Sequence, residues 1–223
     1  MATRALLTKG VIRILASPLI ALSYAMALLK VREFRDDLQR CLAVIDTAPF
    51  LPDRFVTTLV AAEDHRSAFH PGVDPIAILR VMIVWVRTGK IQGASTIEQQ
   101  LVRVVLGRYE RTIRRKYWEQ ILAIALSSLR PKDAIAKAYL SIAFYGTGQY
   151  GVSALMRCCG SELRGATQIN VMQMVARLKY PESLSPSPEW HQTIQRRVRY
   201  IEGRLRGSAN SRPHVPRMIQ RAP

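Results

Sequence analysis

Residues Gly93-Ala94-Ser95-Thr96-Ile97-Glu98-Gln99-Gln100-Leu101-Val102-Arg103 combine a helix start with a polar stripe. Ser95 followed by Glu98 is a capping-box pattern, and Ile97, Leu101 and Val102 continue at helical spacing. Thr96, Gln100 and Arg103 stand four and seven residues apart, hence on one face of that helix. A hydroxyl, an amide and a guanidinium on one stripe can grip phosphate or sugar oxygens. Helix N-terminal amides near Ser95 and Thr96 add to an anion site. Alone, the stripe is equally the polar face of a capped helix.

The same helical grammar extends both ways. Pro52 suits a first helical position, and the apolar run Phe55, Leu59, Ala62 carries on to Glu63. Asp74 and Pro75 form an N-cap and first-residue pair for a helix through Trp85, stopped near Gly89. Ile113 to Leu129 reads as a longer amphipathic helix ended by Pro131, which can begin the next. Gly146, Gly148 and Gly151 break that one in a turn-rich segment, and further helices cover Thr167–Lys179 and Glu189–Arg206. No alternating strand run appears, so the fold class expected is mainly α.

Composition bounds the rest. Hydrophobic content of 48% excludes a disordered chain, and aromatics at 7% leave the core to aliphatic helix packing. Lys and Arg number 33 against 16 Asp and Glu, a net +17 that favours polyanionic partners. Nucleic acid, anionic head groups and pyrophosphates all fit that field. Cys41, Cys158 and Cys159 make neither a disulfide framework nor a zinc spacing, so no metal site is expected.

Ile14 to Leu29 is an uncharged run reaching about 24 Å, slightly short of the roughly 30 Å hydrocarbon core. Val11 and Ile12 bring it close to spanning length, with Arg13 snorkelling outward. No small-residue cleavage site follows. A transmembrane helix over about 11–29 is therefore expected, with an interfacial or a buried helix as alternatives. Basic residues on both flanks leave its orientation open. The expected organisation is an anchor over 1–35, a catalytic domain over 36–206, and a flexible basic tail over 207–223.

Two more constellations carry acids beside cations. In Ala62-Glu63-Asp64-His65-Arg66, followed by His70-Pro71-Gly72, Glu63 closes a helix, where unfavourable partial charge suits a carboxylate to general-base work. It is also readable as a solvated helix end. In Arg114-Arg115-Lys116-Tyr117-Trp118-Glu119, consecutive cations precede an acid, as in a phosphate pocket that orients a carboxylate. An i, i+4 surface pair between Arg115 and Glu119 is the simpler reading.

The joint order of these blocks resembles the family 51 glycosyltransferases: Glu63-Asp64 with His70 and Gly72, then Gly93-x-Ser95-Thr96-Ile97-x-Gln99-Gln100-Leu101, then Arg115-Lys116-x-x-Glu119. Tyr139-Leu140 with Gly146, Gly148 and Gly151 looks like a fourth block, and the resemblance runs from about residue 50 to 206. It implies a lysozyme-like helical glycosyltransferase domain that polymerises lipid II into a nascent glycan strand. The acceptor 4-hydroxyl attacks the anomeric carbon, configuration inverts, and undecaprenyl pyrophosphate leaves.

By resemblance Glu63 is the catalytic base and Glu119 a catalytic carboxylate on the donor side. Ser95, Thr96, Gln100, Arg103, Arg115 and Lys116 then bind phosphates and sugars, while Asp64 and His70 support the Glu63 loop. No cofactor is required, although a divalent cation (Mg or Mn) can accompany the pyrophosphate. The expected location is the bacterial plasma (inner) membrane, single-pass, with the domain on the periplasmic side. The remaining length leaves no second catalytic domain, so a separate transpeptidase is an expected partner. No nucleic acid is expected, since no reader motif accompanies the positive charge.

The chain departs from the family pattern. Ser67 stands where an aromatic is usual, Arg103-Val104 for Lys-Asn, Ser127 for an acid, and Lys137 and Ser141 for Glu and Asn. These leave two rivals beside polymerisation: a degenerate lipid II binder, and a lysozyme-like muramidase or lytic transglycosylase.

Overall fold

The side chains of Asp74, Thr96, Thr112 and Thr167 cap four of the helix starts. The computed structural model describes residues 2–90 and 93–210. Among them ten α-helices and one short hairpin are found. α1 (Ala2–Leu28) and α2 (Arg32–Asp46) precede α3 (Asp53–Glu63), for which Pro52 is the cap position rather than the first helical residue. α4 (Pro75–Thr88) opens as expected: Asp74 Oδ1 accepts from Ala77 N at 3.0 Å, and Gly89 closes it in the left-handed region at φ 65°. α5 (Ile97–Leu106) is capped by Thr96, not Ser95, and Glu98 turns away from the capping-box role.

α6 (Ile113–Leu129) starts on the Thr112 cap, and Pro131 precedes α7 (Lys132–Ile142). β1 (Phe144–Gly146) and β2 (Gln149–Tyr150) then pair antiparallel. α8 (Gly151–Cys159), α9 (Gln168–Lys179) and α10 (Pro188–Asn210) complete the fold. The expected tail from Gly207 is still helical as far as Asn210, and the rest of it lies outside the described residues.

α5 sits at the centre, packed on α6, α7 and α2, while α3 packs on α9 and α10. Leu101, Leu122, Leu126, Ile135 and Leu140 are wholly buried in the shared core. That arrangement brings the C-terminus of α3, the N-terminus of α5 and the first turns of α6 into one neighbourhood.

α6 differs from its expected amphipathic form, because every residue from Glu119 to Leu126 is buried. α1 supplies the missing cover. It packs along α6, with Ile12 and Ala16 fully buried and Ser23 Oγ donating to Ile121 O at 2.9 Å. Its other face leaves Leu6, Val11, Ile14, Leu15, Leu22 and Leu28 exposed. Leu6–Leu28 is long and apolar enough to cross a membrane, and most of it is not buried.

Candidate active site

Glu63 is the last residue of α3, and its carboxylate meets a cation from the far end of the chain. Arg197 Nη2 of α10 donates to Glu63 Oε1 at 2.6 Å and to Ala62 O at 2.9 Å. One guanidinium thus satisfies an orphan helix carbonyl and pairs the carboxylate. Its Cζ lies 4.8 Å from the centroid of the Tyr200 ring, a cation–π contact that fixes its approach. Sequence alone offered no reason to single out Arg197 among the many arginines of α10.

Asp64 and His70 are buried beneath this loop. His70 Nε2 lies 2.9 and 3.0 Å from the two Asp64 oxygens, and Ile97 N donates to Asp64 Oδ2 at 3.3 Å. Two donors converge on His70 Nδ1, Gly72 N and Lys132 Nζ, each at 3.2 Å. Nδ1 is therefore the acceptor, and the ring proton on Nε2 goes to Asp64. Gly72 holds the loop against α6: at φ 98°, a Cβ there would lie 2.3 Å from Ala123 O.

The donor-side block assembles around Glu119, which is buried, with three cations on its two oxygens. Arg103 Nε donates to Oε1 at 2.9 Å and Nη2 to Oε2 at 3.0 Å, a fork on a carboxylate. Arg115 donates to Oε1, and Lys116 Nζ is 3.5 Å from Oε2. Lys116 also donates to Ser95 Oγ at 2.9 Å and to Gln99 Oε1 at 2.7 Å. The Glu119 hydrogen bond lifts the Arg103 pKa, whereas burial lowers that of Lys116 against the pull of Glu119. Three cations on one anion leave a surplus of two positive charges beside Ser95. Such a surplus, held in partly desolvated surroundings, is what a developing pyrophosphate needs.

A cleft of about 550 Å³ runs between these blocks, lined by Glu63, His65, Arg80, Ser95, Gln100, Arg103, Lys179 and Arg197. Of the expected residues, Glu63, Ser95, Gln100 and Arg103 reach it directly. Glu119 sits behind Arg103, and Asp64 and His70 sit behind Glu63. Thr96 is not a cleft residue; its hydroxyl is buried and donates to Gly72 O at 2.7 Å, tying α5 to the Glu63 loop. Arg80 and Lys179 join Arg197 as cleft residues the motifs did not single out. The His65 pKa is lowered by burial and then by Arg204, Arg66 and Arg80, so the ring faces the cleft uncharged at neutral pH.

Among the described residues, Asp64, His70 and Glu98 are grouped closely enough to hold a metal ion. The Lys132 ammonium already lies against Glu98 and His70, so this set does not fit one. Both Glu119 oxygens are likewise taken by cations.

A family model described as transglycosylase matches residues 31–205, a span that takes in α2 as well as the motif blocks. Penicillin-binding protein 1A of Aquifex aeolicus (strain VF5) is 35% identical over 149 residues, 66% of this chain and 20% of that protein. The Escherichia coli (strain K12) protein of that name is 36% identical over 149 residues, 66% of this chain and 18% of its own length. The Rickettsia prowazekii (strain Madrid E) one is 31% identical over 157 residues, 68% and 20% of the two chains. The chain spans about a fifth of the length of these relatives. It belongs to the transglycosylase family, the family 51 glycosyltransferases, and is homologous to the glycosyltransferase module of penicillin-binding protein 1A.

Proposed function

We propose that this chain is a peptidoglycan glycosyltransferase that polymerises lipid II into glycan strands by inverting transfer. The observation that carries the reading is one cleft with Glu63 on one wall and the Ser95, Gln100 and Arg103 face of α5 on the other. Glu63 takes the proton of the acceptor 4-hydroxyl as that oxygen bonds to the anomeric carbon of the growing strand. The bond to the lipid pyrophosphate breaks, and its negative charge develops towards Arg103, Arg115 and Lys116. Base assistance of this kind contributes about 10²–10⁴ in rate. Glu119 acts by holding the three cations in place rather than by touching the sugar.

Arg197 bonds Glu63 through Oε1, and the second carboxylate oxygen keeps its lone pairs for the acceptor proton. The pair also supports a second reading, a lipid II binder in which Glu63 serves only as the partner of Arg197. A divalent ion, where one takes part, arrives on the pyrophosphate oxygens, since both Glu119 oxygens are already bonded. Cross-linking of the product strand falls to a transpeptidase activity outside residues 31–205.

The location that fits is the periplasmic face of the bacterial inner membrane. Exposed Leu79, Met82, Ile83, Trp85 and Val86 on α4 lie on a helix that packs against α1, whose outer face is also apolar. An apolar surface of this extent marks a membrane or a partner.

Incubation of the full chain with lipid II tests the reading. Wild type is expected to make polymer and Glu63→Gln to lose at least about a hundredfold in rate. Binding without polymer in wild type, across divalent-metal conditions, selects the binder. Soluble fragments released from mature cell wall, with no polymer from lipid II, select the muramidase.

A further inference from the structure

Behind the cleft, a set of buried contacts closes on itself. Glu98 Oε1 on α5 accepts from Lys132 Nζ in the first turn of α7, and that ammonium lies 3.2 Å from His70 Nδ1. His70 reaches Asp64 through Nε2, and Asp64 Oδ2 accepts from Ile97 N. Ile97 and Glu98 are consecutive residues of α5, so the ring begins and ends on one helical turn. Asp64, His70 and Glu98 are all buried, and none of the five residues lines the cleft.

The ring spans both walls. Asp64 follows Glu63, the carboxylate of the acceptor side. α5 carries Gln100 and Arg103 on the donor side, within two turns of Glu98.

Glu98 is the link that the family pattern does not account for. That pattern expects an acid at position 127 on α6, where this chain has serine. Ser127 Oγ lies 3.4 Å from Glu98 Oε1, so the carboxylate stands beside position 127 from a different helix. Without it the Lys132 ammonium, whose side chain is 32% exposed, would be left to an imidazole nitrogen and to water, with nothing to hold it in this position.

We propose that Glu98 is a positioning residue of the transglycosylase site. Through Lys132, His70 and Asp64 it sets the separation of Glu63 from Gln100 and Arg103, and it replaces an acid transferred from position 127. The proposal rests on the assignment of Glu63 as the base. Its test therefore has one arm that does not use activity.

The variants are Glu98→Gln and Glu98→Gln/Ser127→Glu in the full chain. Glu98→Gln is expected to lower kcat by about tenfold to a hundredfold with KM within about twofold, as a geometric fault in the reacting groups does. Returning the carboxylate from position 127 is expected to restore kcat to within about threefold of wild type, the mark of a shared role rather than a shared fold. Nitrogen NMR of the His70 ring is the second arm: its shifts are expected to move in Glu98→Gln and return in the double variant. If Glu98→Gln does not fold, Glu98→Gln/Lys132→Met removes both charges together and is expected to fold with kcat still low.

Wild-type kcat in Glu98→Gln, or restored melting temperature without restored kcat in the double variant, overturns the proposal. So do His70 shifts that do not respond to Glu98→Gln. If wild type makes no polymer, the base assignment fails, and the His70 shifts alone decide whether Glu98 governs the ring.

Discussion

Replacing Glu119 with glutamine removes one negative charge from beneath three positive ones. Arg103 gives Glu119 two hydrogen bonds, at 2.9 and 3.0 Å, Arg115 gives one, and Lys116 stands 3.5 Å away. The carboxamide keeps one acceptor oxygen and points two N–H donors at guanidinium donors. Breaking one side of a buried ion pair costs about 3–5 kcal/mol. The side chains of Arg103 and Lys116 are 28% and 34% exposed, so water takes up part of that loss. The remainder is about 2–3 kcal/mol. For a domain of this size that lowers Tm by roughly 4–12 °C.

The pH dependence carries a sign as well. Burial holds the Lys116 pKa below its ordinary value while Glu119 opposes the shift, so without Glu119 it falls further. A lysine lowered on folding binds fewer protons folded than unfolded, so its burial costs most at low pH. Stability then rises with pH between the folded value and 10.5. The Glu119→Gln penalty is therefore expected to shrink as alkaline pH neutralises Lys116. Calorimetry of both chains from neutral to alkaline pH measures this. A Tm change under about 1 °C, or a penalty that grows with pH, would falsify the role given to Glu119.

Three further outcomes follow from contacts around the cleft. Arg103→Lys, the family's usual residue, keeps the charge but loses one arm of the fork, with about 1 kcal/mol expected from the melting curve. A variant as stable as wild type would show that the second bond contributes nothing. His65, whose pKa is lowered on folding, stays neutral while the unfolded ring takes a proton, so stability falls as pH drops below 6.5. His65→Gln should lose that acid-side slope in paired melts, and an unchanged slope would assign it to other groups. Gly72→Ala meets Ala123 O at 2.3 Å in the left-handed region and is expected to cost about 2–6 kcal/mol. Chemical denaturation reads it directly, and a loss below about 1 kcal/mol would mean that the loop can lift off α6.

Local chemistry was the legible part. Asp74-Pro75 and Gly89 bracket α4 because a side-chain acceptor and a left-handed glycine answer the orphan groups of one helix. α6 was harder, since the amphipathic reading assumes water on one side and α1 takes that place. The β1–β2 hairpin escaped because three- and two-residue strands are too short to show alternation. In the site, the order of motifs names Glu63, Ser95, Gln100 and Arg103, which line one cleft. Thr96 lies outside that cleft as a buried cap, a distinction sequence does not draw because cap and ligand require the same hydroxyl. Arg197 was invisible because its importance comes from α10 crossing α3, a contact between residues 134 apart.

The departures from the family pattern bear on whether the chain turns over, and their positions decide how. Lys137 reverses a charge, yet its ammonium lies 3.5 Å from Asp53 and 3.6 Å from Asp133, so both partners are on hand. Ser141 bonds Ala138 O within its own helix, and Val104 packs against the core. Ser67 is buried in the turn after Asp64, its N–H given to Asp64 O at 2.8 Å. None of these four side chains is bonded to Glu63 or to the Glu119 cluster. Arg103 is, and it answers with a fork that lysine cannot form. Ser127 is the remaining case, and Glu98 stands beside it with the missing charge. A chain drifting away from catalysis would have no reason to keep Glu98 and Glu119 charged and paired in its interior, because an unused buried ion pair is cheaper to replace with apolar packing. The carboxylate at position 98 and the fork at position 103 are what a site held to a working geometry requires.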